Sequence, residues 1–97
     1  MSNNKDYLIY ILDLLREVNG ITYKRMMGEY ILYKNNVIFG GIYDNRFLVK
    51  KCRYTDELNL KEIIPYPTSK GMYLIDSENP DDIKEIVDSI YKELKTR

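Results

Sequence analysis

Six cations, Lys24, Arg25, Lys34, Lys50, Lys51 and Arg53, crowd the middle of the sequence, and several stand beside tyrosines. Tyr23 precedes Lys24 and Arg25, Tyr33 precedes Lys34, and Tyr54 follows Arg53. On a sheet, rings can stack on bases while neighbouring cations hold phosphates, so this pattern is a candidate nucleic-acid surface. The same residues have a structural reading, because tyrosine suits strands, burying its ring while its hydroxyl stays wet. None of the standard RNA-sheet signatures is present. Overall charge gives nucleic acid no support: 15 basic and 15 acidic side chains leave the chain neutral. The distribution is uneven, however. Residues 22–70 carry nine basic and five acidic side chains, net +4, while residues 71–97 are net −3 and the first 21 are net −1. The plain reading of such runs is a dipolar, solvated surface.

The remaining inventory excludes more chemistry than it offers. There is no histidine, which removes the usual general base and the commonest metal ligand. One cysteine without histidine rules out zinc sites of the Cys/His type and any Ser-His-Asp or Cys-His catalytic set. Gly40-Gly41 lies inside a strand pattern with no helix after it, so neither a dinucleotide fingerprint nor a P-loop applies. No pair of carboxylates has distinctive spacing. Cys52 sits in "KKCR", where cations would favour a thiolate, but alternation on a strand spreads those charges over two faces, and a structural cysteine is expected. No catalytic, cofactor-binding or metal-ligating residue is assigned, and the chain is expected not to be an enzyme.

The elements that must carry these residues follow from periodicity. The chain of 97 residues is expected to form one domain, 1–97. Leu8, Ile11, Leu12, Leu15 and Val18 share a helical face, predicting a helix from about Lys5 to Asn19, capped by Asn3 or Asn4 and closed by Gly20. The period then becomes two. "ITYKRMM" reads as a strand ending at Gly28, taken as a hinge or bulge, with Met26 and Met27 on opposite faces, one in the core. "GEYILYK" places Tyr30, Leu32 and Lys34 on one face and Ile31 and Tyr33 on the other. Asn35-Asn36 and Asp44-Asn45 mark tight turns before "VIFGGIY" and "RFLVKK". An Arg25–Glu29 ion pair across the Gly28 bend is one option. Gly40 and Gly41 leave a bare patch that a helix or a partner's backbone could approach. Thr55 is expected to cap a short helix through Leu60, Pro65 and Pro67 to interrupt regular structure, and "GMYLID" to form one more strand. Asn79, Pro80, Asp81 and Asp82 start a final helix with Ile83, Ile86, Val87, Ile90 and Leu94 as its apolar stripe. The expected fold is α+β, in the order α-β-β-β-β-α-β-α: about five mainly antiparallel strands covered by the terminal helices.

The run "YKRMMGEYILYKNNVIFGGIYDNRFLVK" resembles the N-terminal domain of the TfoX/Sxy family, bacterial regulators of competence for DNA uptake. The resemblance rests on Arg25, Met27, Gly28, Tyr30, Leu32 and Tyr33, then Phe39, then Asp44, Asn45, Arg46 and Lys50, with Glu29 inside the motif. Pro67, Lys70 and Met72 extend it toward the last strand. It implies an α+β domain with an antiparallel sheet and flanking helices, and a non-enzymatic regulatory role, linked to transcriptional control of DNA uptake, exerted through a protein partner or a homodimer. It supplies no catalytic or cofactor residue. Longer members add a C-terminal helical domain, whereas this chain is expected to be a stand-alone N-terminal domain. Direct nucleic-acid binding by the basic, tyrosine-bearing middle is the alternative, and small-molecule sensing between sheet and helices a third. With no secretory segment, no apolar run near the ~20 residues that span a bilayer, and no possible intrachain disulfide, a cytoplasmic location is the default and no membrane partner is expected.

Overall fold

The computed structural model describes residues 5–65 and 70–95. Nine elements follow one another: α1 (Lys5–Leu14), β1 (Ile21–Met26), β2 (Glu29–Lys34), β3 (Val37–Ile42), β4 (Phe47–Val49), α2 (Arg53–Asp56), β5 (Glu62–Ile63), β6 (Met72–Leu74) and α3 (Pro80–Leu94). The fold is α+β, as the patterning predicts. All strand pairs are antiparallel, in the sheet order β1-β2-β3-β4-β6-β5. The expected caps Asn3 and Asn4, and Pro67, lie outside the described residues.

The two long helices cover one face. Leu8, Ile11, Ile83, Val87 and Ile90 from α1 and α3 pack with Tyr30, Leu32, Phe39, Ile42, Phe47 and Val49 from the sheet. Ladder register explains the choice of side. Tyr30 lies across from Ile42, and Ile42 from Phe47, so one row of side chains faces the helices. The neighbouring row, Ile31, Gly41, Leu48 and Leu74, faces the opposite way. Asn79 starts α3 as expected, its side-chain oxygen accepting from the Asp81 amide at 2.9 Å, with Pro80 in the first helical position.

Five expectations need correction. First, α1 ends at Leu14 and not near Asn19. The chain continues in tighter turns, with Arg16 N–H donating to Asp13 O and Val18 N–H to Leu15 O, and Leu15 and Val18 stay buried. Second, the sheet has six strands, because the short β5 pairs with β6. Third, α2 starts at Arg53, and Thr55 sits in its third position. There its hydroxyl oxygen accepts from the Cys52 amide at 2.8 Å, while the Glu93 carboxylate of α3 accepts from the amides of Arg53 and Tyr54. Fourth, neither Met26 nor Met27 enters the core. Fifth, the closest neighbours of Gly40 and Gly41 come from their own sheet. A side chain on Gly40 would strike the Leu48 carbonyl, and one on Gly41 would strike the Tyr30 carbonyl and the Tyr43 ring.

Candidate functional site

β1 is an edge strand exposed along nearly its whole length: only Ile21 is half-buried, and Thr22 to Met26 are exposed. Half of an edge strand's N–H and C=O groups have no ladder partner, so β1 offers a template for another strand. Its side chains divide by face. Tyr23 and Arg25 lie on the helix side with Tyr30, the two rings edge to face at 5.9 Å between centroids and the guanidinium 5.7 Å from the Tyr30 centroid. Arg25 therefore sits over an aromatic ring rather than pairing with Glu29. Thr22, Lys24 and Met26 take the opposite side, across from Tyr33, Ile31 and Glu29.

The edge ends in an unusual corner. Met26 pairs with Glu29, so Met27 and Gly28 form a two-residue turn, with φ of +53° and +83°. Two successive positive φ values are those of a type I′ turn, which suits the twist of a hairpin and is normally filled by Asn-Gly or Asp-Gly. A methionine in the first position pays the left-handed penalty without a side chain that can hydrogen-bond locally. Met27 is 96% exposed and Met26 48%. The hinge or bulge expected at Gly28 is this turn, and Gly28 is its one residue of turn type.

The other motif residues divide into supports and surface groups. Tyr30 and Phe39 are buried in the core. Tyr33 is half-buried on the face away from the helices. Arg46 donates from Nε to the Tyr43 carbonyl at 3.2 Å, fastening the turn at Asp44-Asn45. Lys50 follows β4 and is exposed.

The cations singled out for nucleic acid do not form one track. Lys34 is withdrawn altogether. Buried between β2 and α3, its ammonium donates to the Asn19 carbonyl at 2.7 Å, lies 3.6 Å from Asp88 Oδ1, and sits 5.2 Å from the centre of the Tyr91 ring. Arg25 is on the helix side of the edge and Arg53 opens α2. Lys24 lies on β1, three strand spacings from β4, or about 14 Å. Lys50 and Lys51 gather with Lys70, which the sequence reading did not connect with them, around a shallow pocket.

Two tyrosine hydroxyls donate to carboxylates: Tyr73 to Asp56 at 2.6 Å and Tyr10 to Glu78 at 2.8 Å. The bond to Asp56 holds the neutral phenol of Tyr73 and pushes its pKa up to about 12, and the bond to Glu78 raises that of Tyr10. Cys52 is buried, its sulfur 3.5 Å from the Thr55 hydroxyl, in keeping with a structural role. Among the described residues no three acidic or cysteine side chains cluster as metal ligands would, and no helix is long and apolar enough to cross a membrane. No protein-family model matches the chain, and no curated protein is significantly similar to it.

Proposed function

We propose that the chain is a non-enzymatic interaction domain, similar to the N-terminal domain of TfoX/Sxy regulators, that takes up an extended segment of a protein partner along β1. By that resemblance its setting is the transcriptional control of DNA uptake. The observation that carries the reading is Met27. An apolar side chain held at φ +53° and 96% exposed, at the corner of an open edge strand, serves neither turn nor core. Residues placed against both local and tertiary preference concentrate at working surfaces. Methionine suits such a surface, because its unbranched, polarisable side chain adapts to different partners.

The edge also favours one partner chemistry. β1 carries Lys24 and Arg25 and no acid. A second copy paired antiparallel would set these cations against their own counterparts, which is unfavourable, whereas an acidic strand with alternating apolar residues would complement them. The homodimer is thus the disfavoured form of the partner reading. Nucleic-acid binding lacks a continuous basic track, and a gel-shift series at low salt is expected to show no retardation. The direct test is selection of displayed random twelve-residue peptides on the immobilised domain. Acidic, alternating sequences are expected, with affinity falling at least tenfold for the K24E/R25E variant. Selected peptides without acidic bias would overturn the reading.

A further inference from the structure

The pocket that gathers Lys50, Lys51 and Lys70 lies toward the end of the sheet where β4 leaves and β6 enters, and Leu94 of α3 shares its lining. Its volume is about 390 Å³, within the range of cavities that take small molecules and too small for a docked domain. The apolar part of its lining is Ile38, Tyr43, Met72 and Leu94. Tyr43 reaches it because Gly41 has no side chain: the ring occupies the space that a Cβ there would need. All three charged residues in the lining are lysines, and no acid lines the pocket among the described residues.

The lysines are not equivalent. Lys51 is engaged, paired with the Glu62 carboxylate and 5.5 Å from the centre of the Tyr73 ring. Lys50 and Lys70 are both exposed and have no ion-pair partner among the described residues. Two ammonium groups without an ion pair thus line an apolar hollow, the nearby Glu62 carboxylate being engaged by Lys51. They suit a ligand with both properties. We infer that this pocket binds a small amphipathic anion: a flat or short aliphatic body against Ile38, Tyr43 and Met72, with a carboxylate, sulfonate or phosphate between Lys50 and Lys70. The site is separate from the β1 edge and does not depend on the partner reading.

The two halves of the claim can be tested separately with a pair of fluorescent probes that share one aromatic body. 1-Anilinonaphthalene-8-sulfonate carries the anion, and N-phenyl-1-naphthylamine lacks it. The sulfonate is expected to bind and to shift the methyl NMR signals of Ile38, Met72 and Leu94. The neutral probe should bind at least tenfold more weakly. In the K50Q/K70Q variant, whose exposed positions leave the core intact, affinity for the sulfonate should fall about tenfold, while that for the neutral probe stays within twofold. The M26T/M27N variant should leave both unchanged. Equal binding of the two probes, unchanged sulfonate affinity in K50Q/K70Q, or methyl shifts confined to Met26 and Met27 would each overturn the inference.

Discussion

Two hairpins share β2, and both turn through two residues of positive φ, yet they are built from opposite materials. At the β2–β3 end the turn is Asn35-Asn36, with φ of +48° and +69°. Asparagine tolerates that region, and the Asn35 amide also donates to the Gly20 carbonyl at 2.9 Å. Beside it, Lys34 ties β2 to the Asn19 carbonyl and to Asp88 of α3. At the β1–β2 end the turn is Met27-Gly28, and both methionines there face solvent. One end is optimised for folding. The other carries a conformational cost with no return in the folded chain, which is the ground for proposing it as the partner surface.

This contrast can be broken by substitution. The largest effect is expected at the supported end. K34M keeps the aliphatic stem but leaves the Asn19 carbonyl without its donor and Asp88 with Lys84 alone, and should cost about 1–3 kcal/mol in urea unfolding. K24M, at the exposed end, should change stability by less than about 0.5 kcal/mol. Equal effects would mean that the two ends are not held differently. Next come the turns themselves. N36A should lose about 1 kcal/mol, because alanine resists the left-handed region, and M27N should gain about 0.5–1 kcal/mol for the converse reason. If M27N destabilises the domain, Met27 is a folding residue after all and the partner reading loses its main support.

The smallest effect lies far from both hairpins and concerns pH. Tyr73 has its pKa raised from 10.0 to about 12 by the bond to Asp56. A raised folded-state value means that the stabilisation is complete below about pH 10 and is lost as pH climbs toward 12. Wild-type melting temperature should therefore fall more steeply than that of Y73F between pH 10 and 12. Parallel curves would show that the hydroxyl and carboxylate are not coupled in solution.

What could be read from the sequence follows from how local each signal is. Asn35-Asn36 and Asp44-Asn45 declare their turns because the side chains themselves favour positive φ. The alternation of Tyr30, Leu32 and Lys34 against Ile31 and Tyr33 fixes the faces of β2, and Asn79-Pro80 fixes the start of α3. The Met27-Gly28 turn was hidden because "ITYKRMM" continues a strand-like run into a corner with only its second residue, glycine, of turn type. β5 has two residues and no alternation to detect. The gathering of Lys50 and Lys51 with Lys70 was illegible for a different reason: it depends on β4 pairing with β6, across an intervening helix and strand.

The central claim is that β1 accepts a partner strand, and amide hydrogen exchange reads this directly. The outward amides of Ile21–Met26 have no ladder partner among the described residues and should exchange rapidly. On adding a selected acidic peptide, alternate amides of this strand should become protected, and protection should be lost with K24E/R25E. Protection appearing instead over α1 or α3, with β1 still exchanging freely, would contradict the account.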